Sequence, residues 1–148
     1  MRFLLDTNIL LHYIRKSEIA QKVDVLYAPL ASANEPFVSV VSIGELESIA
    51  LQNKWGEKKR KQLANLLNEV LVTDIYVKQV IHAYAEIDTF SQNKHAEKPL
   101  LLSARNMGKN DLWIAATASV LGATLLTTDN DFDHLDKVFL GLGKINIG

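Results

Sequence analysis

The sequence contains no cysteine. Disulfide staples and thiolate metal sites are therefore excluded, an absence that suits a reducing cytoplasm. Long apolar runs are missing too: none approaches the roughly 18 to 20 residues needed to cross a bilayer. The opening Met1-Arg2-Phe3-Leu4-Leu5-Asp6 meets an acid too soon for the apolar core of a signal peptide, so a cytoplasmic, non-membrane protein is expected. No internal repeat, low-complexity tract or linker rich in Pro, Gly or Ser divides the chain. An excess of one charge is also absent, with 16 Lys and Arg against 17 Asp and Glu and a net charge of −1. That balance argues against coating nucleic acid by bulk charge. His12, His82, His95 and His134 show no paired metal-ligand spacing. No nucleophile-elbow glycine pattern and no Ser or Cys hydrolase constellation is found.

What is present is an ordinary globular composition, 48% apolar and 22% charged in 148 residues. That size suits one domain over residues 1–148 with a single substantial core. Short apolar segments read as strands at Phe3–Leu5, Phe37–Val41, Leu71–Thr73, Thr124–Thr127 and Lys144–Ile147. Helical periodicity links Ile43, Leu46, Ile49 and Ala50; then Leu63, Leu66, Leu67, Val70 and Leu71; then Val77, Val80, Ile81, Tyr84 and Ile87. Leu112 to Leu121 is apolar on nearly every side and alanine-rich, the pattern of a buried helix pressed close to a sheet, and Gly122 suits its end. The stretch from Gln92 to Gly108 reads as a loop with room for one short helix. Strands alternating with helices predict an α/β fold, a three-layer α/β/α sandwich around a mostly parallel sheet.

One local concentration of positive charge stands out: Lys54, Lys58, Lys59, Arg60 and Lys61, broken by Glu57. It reads as a solvated helix start or as a set of contacts to nucleic-acid phosphates, with Trp55 beside it.

In parallel α/β sheets ligands bind beyond the carboxyl ends of the strands. Asp6 follows the first strand, and Ser42 to Leu46, with Glu45, follows the second. Asp111 opens the buried helix, and Asp129 follows the late strand, with Asp131 and Asp133 beyond it. Converging carboxylates repel unless a hard divalent cation relieves them, and Mg²⁺ or Mn²⁺ prefers oxygen ligands. Such a site performs phosphodiester hydrolysis without a covalent intermediate. The same acids also fit helix caps: Ser42 and Glu45 as a capping box, Asn110 as an N-cap before Asp111, Asp6 as a cap of the first helix, and Asp129 as the start of an Asx turn. Spacing alone leaves metal site and caps open. Asp129, Asp131 and Asp133 also match the start of a calcium loop, but His134 and Leu140 stand where glycine and glutamate are required. Asp6 as a phosphoaspartate nucleophile is a further reading, weakened by Asn8 where phosphatases of the haloacid dehalogenase type have a second aspartate.

Four segments in order, Leu4-Leu5-Asp6-Thr7-Asn8, Ser42 to Leu46, Asn110-Asp111 leading into Ile114-Ala115-Ala116-Thr117-Ala118, and Leu125-Leu126-Thr127-Thr128-Asp129 with Asp131-Phe132, resemble the PIN-domain family, especially VapC-type toxins. The resemblance implies that Asp6, Glu45, Asp111 and Asp129 form the family's acidic metal-binding quartet, with Asp131 an additional acid. It gives Thr7, Asn8, Asn110 and Thr128 the role of orienting carboxylates and bound waters. One Mg²⁺ would use Asp6, Asp111 and Asp129, while Glu45 serves a second ion or the water. It further implies an endoribonuclease acting on RNA, often a folded one such as transfer RNA, a cognate antitoxin and a homodimer. The connection from Gln92 to Met107 is longer than in the commonest toxin pattern. Two rival readings are a PIN fold serving as a non-catalytic binding scaffold and a phosphatase acting through Asp6.

Overall fold

Phe3, Leu4 and Leu5 are all shielded from water, which requires a strand covered on both faces. Side chains alternate across a strand, so Phe3 and Leu5 enter one apolar cluster and Leu4 the other. In the computed structural model, which describes residues 1–147, this strand is β1 (Arg2–Leu5) at the centre of a five-stranded sheet. The other strands are β2 (Glu35–Ser39), β3 (Leu71–Thr73), β4 (Thr124–Thr127) and β5 (Gly141–Lys144). Their order is β3-β2-β1-β4-β5, and every pairing is parallel.

Helices α1 (Thr7–Arg15), α2 (Glu18–Leu26), α3 (Val40–Gln52) and α4 (Glu57–Leu67) supply Ile9, Leu10, Val23, Leu46 and Leu63 to the cluster on one face of the sheet. Helices α5 (Lys78–Ser91) and α6 (Lys109–Leu121) supply Ile87, Phe90, Ile114, Ala115 and Ala118 to the other. The result is the expected α/β/α sandwich. Alanine dominates the buried face of α6, which lets the helix lie close to β1 and β4. Its end is set by Gly122, whose φ of 62° is the left-handed conformation that glycine adopts at least cost.

Three local expectations need correction. Val40 and Val41 belong to α3, not to β2, because the Ser39 side chain accepts the Val41 N–H at 3.1 Å and starts a helix there. The last strand lies at Gly141–Lys144, earlier than Lys144–Ile147. Ser42 and Asn110 are not N-caps: Ser39 caps α3, and Gly108 stands at the N-cap of α6 without a side-chain bond. The 92–108 connection holds no helix ahead of α6. It is pinned instead by His95, whose Nδ1 accepts the N–H groups of Glu97 and Lys98 at 3.1 Å each while Nε2 meets Glu86. Among the described residues no helix is long and apolar enough to cross a membrane.

The chain leaves β1 toward β2 on one side and returns through β4 on the other. A crevice therefore opens at the carboxyl ends of β1 and β4, the position where open α/β sheets take ligands.

Candidate functional site

Asp6 follows β1 directly and is only 4% exposed. Its backbone N–H donates to Leu126 O at 3.0 Å, continuing the β1–β4 ladder past the last paired residue. Its Oδ1 accepts the Thr7 N–H at 2.8 Å and so caps α1. Its Oδ2 accepts the Thr127 hydroxyl at 2.7 Å and the Asn8 amide at 3.2 Å. Burial pushes its carboxyl up to about 6, helped by the charges of Glu45 and Asp129 and opposed by the Thr127 and Thr7 bonds.

Thr7 joins the first helix to the third. Its single hydroxyl proton goes to Glu45 Oε1 at 2.8 Å, and the oxygen then accepts from Ser42 at 3.0 Å. Glu45 is thus aimed by α1. Asn8 works in two directions, donating to Asp6 and accepting the Thr128 N–H at 3.2 Å. Thr127 ties Asp6 to the loop after β4, since its oxygen also accepts the Asp129 N–H at 3.0 Å. Asp129 Oδ1 in turn accepts the Asp131 N–H at 3.1 Å, the Asx turn expected of it, and folds Asp131 back toward the crevice.

Asp111 stands in the first turn of α6. Carboxylate oxygens of Asp111, Asp129 and Asp131 all lie within 4.8 Å of one another. Burial pushes the Asp111 carboxyl up to about 7, and Asp6, Asp129, Asp131 and Glu45 all push the same way. The tightest grouping therefore includes Asp131, while Asp6 and Glu45 flank it closely enough to be felt electrostatically. This donor set fits a hard divalent cation: it is all oxygen, and its mutual repulsion is what such an ion relieves.

Asn110 and the Thr128 side chain make no hydrogen bond to these carboxylates among the described residues; only the Thr128 backbone is engaged, by Asn8. Thr127 and Ser42 do bind into the network; the sequence reading assigned Thr127 no role and Ser42 only that of a helix cap. For Thr127 a signal existed: a hydroxyl ending a buried apolar strand must find a partner. Lys58, Lys59, Arg60 and Lys61 lie in the first turns of α4, an element that carries none of the crevice acids. There Arg60 pairs with Glu47 at 3.5 Å and Lys59 covers the Trp55 ring at 4.9 Å, while Lys58 and Lys61 are exposed. Trp113 packs on Tyr84 with ring centroids 4.3 Å apart, a core contact.

Comparison with solved structures finds the same fold repeatedly. A chain of VapBC2 from Rickettsia felis, bound to a DNA fragment from its promoter, is 24% identical with a TM-score of 0.78, covering 99% of this chain and 100% of that one. VapBC-1 from nontypeable Haemophilus influenzae is 24% identical with a TM-score of 0.73, covering 97% of this chain and 98% of that one. VapBC-5 from Mycobacterium tuberculosis, a member of the VapBC family of toxin-antitoxin systems, is 19% identical with a TM-score of 0.59, covering 99% and 98%. No curated protein matches the sequence. The PIN domain family model matches residues 3–138, nearly the whole described chain. With the sheet order and the acidic crevice already in place, that match assigns the chain to the PIN domain family.

Proposed function

We propose that this PIN domain is a metal-dependent endoribonuclease and the toxin half of a toxin–antitoxin pair. The observation that carries the reading is the convergence of Asp111, Asp129 and Asp131, flanked by Asp6 and Glu45, at the open end of β1 and β4. Asp6, Glu45, Asp111 and Asp129 are the catalytic and metal-binding acids, with Asp131 a further ligand and Mg²⁺ or Mn²⁺ the cation. Bound there, such an ion would make water more acidic and offset charge gathering on a phosphate. The chain's own residues do the positioning. Thr127 and Asn8 hold Asp6, Thr7 aims Glu45, and the Asx turn carries Asp131 back to Asp111. Asn110 and Thr128, each next in sequence to a metal-binding acid, would orient water or substrate. Lys58, Lys59, Arg60 and Lys61 would meet RNA phosphates beyond it.

RNA as substrate, transfer RNA included, and a homodimer are what the resemblance to VapC-type toxins implies for this chain. A cognate antitoxin is supported by the toxin–antitoxin proteins whose chains share the fold, and it would act by covering the crevice. Asp6 as a phosphate-accepting nucleophile is the weaker reading, because it is buried and already accepts three hydrogen bonds. A scaffold without catalysis would have no use for five converging carboxylates.

The test is RNA cleavage by highly purified protein. EDTA should abolish it and Mg²⁺ or Mn²⁺ restore it. Asp111→Asn should lower the rate by about two orders of magnitude or more, the scale on which loss of transition-state charge stabilisation is felt. Undiminished cleavage in EDTA would overturn the proposal.

A further inference from the structure

Beside the acids a cavity of about 520 Å³ runs along α3 from Glu45 to Gln52, with Asn110 of α6 on its far wall. Its size falls in the range of small-ligand sites. Val41 and Ile49 form apolar lining, and the rim is polar. Gln52 Nε2 donates to Ser48 Oγ at 2.8 Å, which leaves the Gln52 carbonyl as an acceptor and the Ser48 hydroxyl proton as a donor. The Asn110 side-chain amide has no hydrogen-bond partner among the described residues and adds both kinds of group.

Gly44 lines the same cavity, in the interior of α3 and one residue before Glu45. A glycine there weakens a helix relative to alanine, and nothing inside the chain requires it. Its φ is not positive, unlike that of Gly122, and a Cβ built on it meets nothing within 4 Å. Space left open on a cavity wall, at a cost to the helix, is explained by a flat group from outside lying close against the backbone.

We infer that this groove is a nucleobase subsite, taking the base next to the cleaved phosphate of a single-stranded RNA segment. Apolar walls suit the faces of a base, and the Ser48, Gln52 and Asn110 groups suit its hydrogen-bonding edges. The inference rests on RNA being the substrate, and the groove would set which sequence is cut while the acids set whether it is cut.

The experiment uses the full chain, a set of short single-stranded oligoribonucleotides and the variant Gly44→Leu, which fills the groove and favours the helix. In EDTA, binding of the oligoribonucleotides by fluorescence anisotropy should weaken about tenfold or more, as expected when one base is no longer held. The rise in Tm produced by Mg²⁺ should not change. In Mg²⁺, wild type should prefer particular bases at one position and cut more slowly when the nucleotide there is abasic, whereas Gly44→Leu should be indifferent to both. Gln52→Leu should change which base is preferred. Unaltered binding and unaltered preference in both variants would overturn the subsite. So would a change in oligomeric state in Gly44→Leu, which would give the groove to a second copy of the chain. Because the binding arm needs no cleavage, a protein that binds through the groove yet cuts no RNA would refute the nuclease reading and leave the groove as a base-binding site beside the acids.

Discussion

Thr127 is fully buried at the end of β4 and is tied to two of the acids at once, donating to Asp6 and accepting from Asp129. Valine has nearly its shape and neither bond. Thr127→Val should therefore cost about 1 to 3 kcal/mol, the penalty for leaving partly buried polar groups unpaired. At this chain length that lowers Tm by about 2 to 4 °C for each kcal/mol. The Thr127 bond is also the strongest influence holding the Asp6 carboxyl down, so its loss should move that carboxyl further above about 6. Thermal melts and the pH dependence of Mg²⁺-induced stabilisation measure both effects, and a variant as stable as wild type would show the hydroxyl to be dispensable. Asp111 behaves in the opposite sense. Its carboxylate accepts no hydrogen bond among the described residues, and the N-cap of its helix is Gly108. Neutralising it removes repulsion and no cap. Asp111→Asn in EDTA at about pH 8 should melt at least as high as wild type. It should also lose the stabilisation that excess Mg²⁺ gives wild type, about 2.7 kcal/mol at a hundredfold excess over Kd. A lower Tm in EDTA would return Asp111 to a purely structural role.

Among the elements, α4 carries the basic run on its first turns. Arg60 is engaged by Glu47 and Lys59 by the Trp55 ring, which leaves Lys58 and Lys61 as the freer charges. Replacing those two by Gln should flatten the log–log salt dependence of RNA binding by about 0.7 to 0.9 for each phosphate no longer neutralised. An unchanged slope would make the run a solvated helix face. The boundary between β2 and α3 shows why some elements could be read from sequence and others could not. The central strands and α6 announce themselves through their runs of apolar residues, and each acid is legible because it follows a strand or opens a helix. Val40 and Val41 extend the apolar run of β2 and look like strand, yet one hydrogen bond from the Val41 N–H to Ser39 turns the chain into a helix. Ser42 and Glu45, spaced as a capping box, both turn to Thr7 on another helix instead. β5 was hidden by glycine, whose strand propensity is poor. Gly143 is needed there because a Cβ would come within 2.5 Å of Leu126 Cδ2. The roles of Thr127 and Ser42 depend on partners distant in the chain, and periodicity carries no record of those.

For the molecule as a whole, the raised carboxyls make stability depend on pH. Asp6 and Asp111 titrate near 6 and 7 in the fold, against 3.8 for an ordinary aspartate. Between those values the folded state holds more protons than the unfolded one, so stability in EDTA falls as pH rises through the window. His12 and His134, lowered by burial, act in the opposite direction below their ordinary 6.5. The clean interval is therefore about pH 8 down to about pH 6.5, where Asp111 dominates. Across it, Tm in EDTA should climb as the pH is lowered, and Asp111→Asn should flatten the climb. The gain from Mg²⁺ should shrink over the same interval, because protons and cation compete for one carboxylate. A Tm in EDTA that falls on acidification from pH 8 to pH 6.5 would contradict the raised carboxyls. The bond between Asp6 and Thr127 spans 121 positions of sequence. During synthesis the first acid leaves the ribosome early, and its partners are still to be made. The crevice cannot form until β4 has been translated and has paired with β1, so a nascent or prematurely terminated chain lacking β4 holds Asp6 without the partner that fixes its carboxylate. On the proposed function, activity would therefore appear only after β4 has joined the sheet.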